Sequence, residues 1–263
     1  MCGIFGFILK KQLPITKVMR VLEKLEVSKY SNENLPVGGY GAGIAVLLDD
    51  GNVFSEKVGK TTNSPVAQLA GIVKPRLSEA KILVGHVRYP SLEFMDTVQF
   101  REAAQPYVEN FEPELTLVSA HNGRIENYSD IRDKLRAHVF ESEKIRLIDS
   151  EVIPHYFGAL LEETGDGDQA AHALMDSLNG KTVGSIALLQ LDEENQILYL
   201  LHKGWSRGLT VWTNDKNEVI FCTRPEPIKE ELKEVLDKRN FKEKVMIKPK
   251  EEAELNLSFP ISS

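Results

Sequence analysis

Two cysteines, Cys2 and Cys222, are all that the 263 residues contain. They form no disulfide framework, and without a C-x-x-C pair the common thiolate zinc and redox motifs are excluded. No apolar run approaches the ~20 residues that cross a bilayer. The apolar stretch Ile4–Leu9 is shorter than a secretory signal requires, and basic residues follow it rather than precede it. The chain is therefore read as cytoplasmic, and the sequons at Asn127 and Asn256 as unmodified. Positive charge is scarce. Against 39 acidic residues stand 32 basic ones, a net charge of -7. Phosphate neutralisation is then a poor source of affinity, so neither nucleic acid nor an anionic membrane surface is an expected partner. None of the six histidines belongs to an H-E-x-x-H pair. Glu151 and His155 stand four apart on one helical face, two ligands without a third, so no metal and no cofactor is expected.

What is present suits a packed globular chain: 42% hydrophobic and 27% charged residues. Met1–Leu9 reads as a strand, and Val18, Val21, Leu22 and Leu25 give Ile15–Lys29 a helical spacing. Gly38–Gly43 is a glycine-rich turn. Ile44–Leu48 and Val53–Val58 flank Asp49-Asp50-Gly51-Asn52, a hairpin signal. Ile82–Tyr89 and Leu115–Ala120 are strand-length apolar runs, separated by a long connection over 90–113 that reads as a functional loop. Ser129 and Ser150 are candidate caps for helices over 130–138 and 151–163, and a third helix is expected over 168–178. Strand patterns follow over 183–191, 197–202, 209–213 and 219–223, with short polar connections that imply antiparallel pairing. After Pro225 the charged tail predicts one helix and one short strand. The class is α+β, with antiparallel sheets and helices as separate layers.

Several residues could carry chemistry. A cysteine after the initiator methionine becomes residue one when Met is trimmed. Its α-amino group, with an ordinary pKa of ~7.7–8.0, can then activate its own thiol. Alternatively Cys2 is a small apolar residue in an edge strand. Arg88, at the exit of a buried strand in Gly85-His86-Val87-Arg88-Tyr89, could grip a carboxylate with its planar fork, or form a surface ion pair. Asn122 beside Gly123 could make an oxyanion hole, or an ordinary Asn-Gly turn. Asp149 could bind an ammonium group or cap the helix that follows. Gly39–Gly43 has the spacing G-x-G-x-G, with no strand before it and no helix after it, which is not a dinucleotide fingerprint. Cys222 reads as core. Histidines 138, 155, 172 and 202 fall in helix or strand patterns and receive no role.

In order along the chain these clusters resemble the class II glutamine amidotransferases, a family of N-terminal nucleophile enzymes. Met1-Cys2-Gly3-Ile4-Phe5-Gly6 resembles that family's N-terminus, and Ala42-Gly43-Ile44-Ala45 its A-G-I-A strand. Gly85-His86-Val87-Arg88-Tyr89 is similar to G-H-T-R-[WY], and Ala104-Gln105-Pro106 to A-Q-P. His121-Asn122-Gly123-Arg124-Ile125-Glu126-Asn127 matches H-N-G-x-I-x-N, and Asp149-Ser150-Glu151-Val152 resembles D-[ST]-E-V. The resemblance implies a four-layer αββα sandwich of two antiparallel sheets, of the Ntn-hydrolase type. It makes Cys2 the nucleophile towards the side-chain amide of glutamine, with Asn122 and the Gly123 N–H holding the oxyanion. It places Arg88 on the α-carboxylate, Asp149 on the α-ammonium, and His86 and Tyr89 at the substrate site.

Two departures mark the branch. Gly38 stands where many members carry an Arg that helps order the nucleophile region. Tyr89, Ser91 and Ala104-Gln105-Pro106 differ from the glucosamine-synthase branch, and the Gly38–Gly43 turn is closer to separate amidotransferase subunits of glutamate synthase-like systems. Residues 1–225 are expected to form the amidotransferase domain and 226–263 an extension packed on it. The ammonia acceptor is then expected on a synthase subunit in trans, with a homo-oligomer left open. The alternatives are a non-catalytic glutamine-binding or regulatory module, which Gly38 would suit, and a free-standing amidohydrolase for another amide. Arg88 and Asp149 oppose the latter, because an amide lacking an amino-acid head would leave both charges unpaired.

Overall fold

The computed structural model describes residues 2–29, 34–111, 114–193, 195–205 and 208–261. Met1, at the start of the first expected strand, and residues 112–113, at the end of the expected loop, lie outside them. In chain order the elements are β1 (Gly3–Pro14), α1 (Ile15–Val27), β2 (Gly41–Leu47), β3 (Val53–Gly59), α2 (Pro65–Val73), β4 (Glu79–Val87), β5 (Tyr107–Phe111), β6 (Leu115–Asn122), α3 (Tyr128–Lys134) and α4 (Val152–Thr164). They continue with α5 (Gly167–Ser177), β7 (Gly184–Leu191), β8 (Gln196–Trp205), β9 (Leu209–Thr213), β10 (Val219–Cys222), α6 (Pro225–Glu231), α7 (Lys233–Lys238), β11 (Lys242–Ile247) and β12 (Glu252–Pro260). Among the described residues no helix is long and apolar enough to cross a membrane.

The chain divides into two compact units. The first, Met1–Pro106 with Gly208–Ile247, holds a seven-stranded sheet in the order β11-β9-β10-β1-β4-β2-β3. β1 pairs antiparallel with β4 and β10, and β2 with β4 and β3. From Gly3 to Leu9 both faces of β1 are buried, which explains a run of apolar residues without alternation. Helix α1 buries Ile15, Val18, Met19, Leu22 and Leu25 against this sheet, with Phe5, Phe7, Leu83 and Ile220 in the same core. Cys222 lies in that core too, where burial pushes its thiol up to about 12, so it stays protonated at neutral pH.

The second unit, Tyr107–Arg207 with Lys248–Ser263, holds a five-stranded antiparallel sheet in the order β12-β8-β7-β6-β5. Helices α4 and α5 bury Val152, Ile153, Phe157, Ala170 and Leu174 with Leu117, Ile186, Leu188 and Leu201 of its strands. The α+β class with two antiparallel sheets is thus the one expected.

Several details differ. Helix α2 was not expected, although Ser64 accepts the Ala67 N–H at 3.0 Å and Pro65 sits at the first helical position, both ordinary start signals. Among the described residues neither Ser129 nor Ser150 caps a helix. Helix α3 begins after Asn127, whose amide instead binds Ser177 O and the Asn179 N–H, both at 2.9 Å. Residues Asp149–Glu151 form a 3-10 turn ahead of α4, and the Ser150 hydroxyl points to His121. The connection over 90–113 contains two short 3-10 segments and β5. The tail holds two helices and two strands rather than one of each. Ile228, Leu232 and Val235 join the first unit's core, and β12 pairs with β8 at nine successive positions from Glu252 to Pro260.

Candidate active site

In the first unit the candidate residues gather at one end of β1 and β4. Cys2 precedes Gly3, which pairs with Val87, and Ile4 pairs with His86. The half-buried Cys2 thiol lies 3.5 Å from both the Tyr89 N–H, which donates to it, and the Tyr89 carbonyl. His86 is fully buried in the middle of the sheet, between Ile4 and Gly43.

Arg88 is buried although it follows the last residue of β4. Its backbone N–H donates to Gly41 O at 2.8 Å, and its carbonyl accepts from Tyr40 at 3.0 Å. Its guanidinium donates to Thr97 Oγ1 at 2.7 Å and Thr97 O at 3.3 Å, which fixes the plane of the fork. Thr97 lay in a stretch without periodicity, and no sequence signal marked it. The Tyr89 ring stands edge-on to Tyr40, with centroids 4.9 Å apart.

Two motifs distant in sequence meet here. A Cβ on Gly43 would come within 2.3 Å of Gln105 O, so glycine lets the Ala104-Gln105-Pro106 run lie against β2. A Cβ on Gly38 would stand 2.9 Å from Glu26 Cα and 3.1 Å from Val87 Cβ. An arginine at position 38 would therefore require α1 to move.

In the second unit β6 ends at Asn122, and its final residues build a connected cluster. His121 Nε2 lies 2.6 Å from Val183 O, and its Nδ1 lies 2.8 Å from Ser150 Oγ. Burial pushes His121 down, with Asp149 opposing. In the neutral ring Nε2–H donates to the carbonyl and Nδ1 accepts the Ser150 hydroxyl. Asp149 Oδ2 accepts the Ile125 N–H at 3.0 Å, and Ser150 Oγ is 3.3 Å from its Oδ1. Burial pushes the Asp149 carboxyl up, and the nearby His121 partly offsets this.

Asn122 is buried, and its Nδ2 makes no hydrogen bond among the described residues. Gly123 is fixed by space: a Cβ there would meet Val183 O at 1.8 Å. The structure thus groups Cys2, His86, Arg88 and Tyr89 in one unit, and Asn122, Gly123 and Asp149 in the other. It adds Thr97, His121 and Ser150 as residues that hold them.

A family profile described as glutamine amidotransferase domain matches residues 92–230, over half of the chain. The chain belongs to the class II glutamine amidotransferases. The matched part of this amidotransferase holds Asn122, Gly123 and Asp149 and leaves out Cys2 and Arg88. The whole chain is 32% identical over 237 residues to the isomerizing glutamine–fructose-6-phosphate aminotransferase of Nostoc sp. (strain PCC 9229), covering 85% of this chain and 33% of the relative. With the enzyme of the same name from Clostridium perfringens it shares 32% over 169 residues, 62% of this chain and 23% of that one. The amidotransferase therefore spans a third or less of the length of these relatives. Among solved structures it is similar to glutamine phosphoribosylpyrophosphate amidotransferase from B. subtilis, with a TM-score of 0.62 at 18% identity, covering 99% of this chain and 49% of that one. A structure described as the allosteric regulatory enzyme of purine biosynthesis gives 0.63 at 17%, with the same coverage. These likenesses show the fold, which is of the N-terminal-nucleophile hydrolase type.

Proposed function

We propose that this amidotransferase hydrolyses the side-chain amide of glutamine to glutamate and ammonia through a thioester on Cys2. Removal of Met1 frees the Cys2 α-amine, which takes the thiol proton as Sγ attacks the amide carbon. Asn122 Nδ2–H and the Gly123 N–H hold the oxyanion. Arg88 binds the α-carboxylate, Asp149 the α-ammonium, and His86 and Tyr89 shape the pocket. The C–N bond breaks, and ammonia leaves with the proton. Water then attacks the thioester carbon, releasing glutamate and restoring the thiol.

The observation that carries this reading is the buried Asn122 Nδ2. Buried donors are almost always paired, and one left without a hydrogen bond suits a group reserved for a ligand oxygen. The anchored Arg88 and Asp149 favour an amino acid over a simple amide. For the acceptor we propose a synthase subunit in trans, in a glutamate synthase-like system. Residues 38–43 and 104–106 favour that branch.

The test is the intact mass of untagged protein before and after a diazo-ketone analogue of glutamine. Loss of Met1 and a single adduct, absent in Cys2→Ser, are expected. No adduct on a free Cys2 would sink the catalytic reading and favour the binding module. Failure of any synthase to co-purify or to change the rate of ammonia release would remove the partner in trans.

A further inference from the structure

Glu151 and His155 lie four apart, and the fold supplies the third group that the sequence pattern lacked. Glu109, on β5, brings its Oε1 to 3.4 Å from His155 Nε2. One carboxylate oxygen from each of Glu109 and Glu151 and one nitrogen of His155 all lie within 4.8 Å of one another. Glu151 is fully buried and His155 is 3% exposed, while the Glu109 side chain retains 18% of its exposure. His155 Nε2 is aimed at the carboxylates but makes no acceptable hydrogen bond among the described residues.

The surroundings are those of a prepared site. His155 Nδ1 lies 3.1 Å from His138 Nδ1, so one ring can donate to the other. Phe140 packs against His155 with ring centroids 4.0 Å apart, a dry wall on one side. Glu151 accepts from the backbone N–H groups of Glu141 and Ser142 and from the Ser142 hydroxyl, which fixes its orientation. The cation nearby, Arg132, is bidentate to Glu143 at 2.6 and 3.1 Å. Burial pushes the Glu151 carboxyl up, and the charge of Glu109 adds to the shift.

We propose that Glu109, Glu151 and His155 bind a divalent transition ion of the Zn²⁺ class, with His138 as the outer partner of His155. Imidazole with carboxylate oxygens is a borderline N/O donor set that suits such an ion. With bonds of about 2.0–2.1 Å, neighbouring ligand atoms in a tetrahedral site stand about 3.3 Å apart, close to the separation of the Glu109 and His155 atoms. A metal-bound Nε2 puts the ring proton on Nδ1, which then donates to His138, the usual outer arrangement of a ligating histidine. The ion also relieves the two neighbouring carboxylate charges. It ties β5 and α4 to the turn that carries Asp149, but the proposal does not depend on the glutamine chemistry.

The experiment uses the full chain, stripped with a chelator and titrated with Co²⁺ as a visible probe, then with Zn²⁺ in competition. One equivalent of Co²⁺ is expected to give a saturable absorption without sulfur charge-transfer bands, displaced by Zn²⁺ and unchanged in Cys2→Ser. Glu109→Gln, at the least buried of the three ligands, should weaken Zn²⁺ binding by at least about 100-fold, and His138→Ala by about 10–100-fold. Zn²⁺ should raise the Tm of the parent chain but not of Glu109→Gln. Should His155→Ala fail to fold, Glu109→Gln decides alone. The site is overturned by an absent Co²⁺ signal, or by one that survives Glu109→Gln unchanged.

Discussion

Asn122 carries a cost that its surroundings do not recover. A buried donor left without a partner costs about 1–3 kcal/mol, and among the described residues Nδ2 makes no hydrogen bond, although the side chains of His121 and Asp149 do. If the missing partner is the oxyanion, Asn122→Ala should lower ammonia release by about 10²–10³ in kcat. The KM for glutamine should change little, because the donor acts mainly on charge that develops in the transition state. A steady-state series settles it, and an effect confined to KM would give Asn122 a ground-state binding role instead. At this scale much was legible in sequence. Cys2, Arg88, Asn122 and Asp149 stand in short motifs whose chemistry is local. Thr97 and Glu109 were invisible, because the residues they lie against, Arg88 and His155, are brought close only by folding. Ser150 was misread for the same reason: a serine before a helix is a good cap by pattern, but here His121 claims the hydroxyl.

At the scale of elements, the start of α2 joins two interactions in one side chain. Ser64 caps the helix by accepting from the Ala67 N–H and donates its hydroxyl to Glu26 of α1. Among the described residues the Asp166 side chain, at the start of α5, has one hydrogen bond, a cap that accepts the Gln169 N–H at 2.9 Å. Asp166→Ala should therefore cost about 1 kcal/mol. Ser64→Ala should cost about 2–3 kcal/mol, since it also strips a buried carboxylate of a donor. Urea denaturation of the two variants compares them directly, and equal losses would mean that the Glu26 contact contributes nothing. The same scale explains the reading of the tail. β11 and β12 lie at sheet edges, so their outward positions carry Lys and Glu. A half-exposed strand with such charges resembles a solvated face until its partner strand is known.

Across the whole molecule, burial splits the titratable groups into two opposed sets. It pushes Glu26, Asp149 and Glu151 up, and His121, His138 and His202 down. Each raised acid contributes stability that is complete below its ordinary value near 4 and is lost as pH rises through its folded value. Each lowered histidine contributes stability that is present above about 6.5 and is lost as pH falls through its folded value. The two sets oppose one another between these limits, so removing one member should tilt the profile. Glu26 is the cleanest choice, because it lies outside the candidate site. In Glu26→Gln the amide oxygen can still accept the Val66 N–H, and its nitrogen can donate to Ser64. The variant never pays for a buried charge. It should be more stable than the parent chain at pH 8, with the advantage shrinking as pH falls and smallest below about pH 4, where Glu26 is mostly protonated in both folded and unfolded parent. Chemical denaturation of both proteins at the two ends reads this difference. An advantage independent of pH, or a loss at pH 8, would mean that the ionised Glu26 is held favourably by Ser64 and Val66 despite its burial.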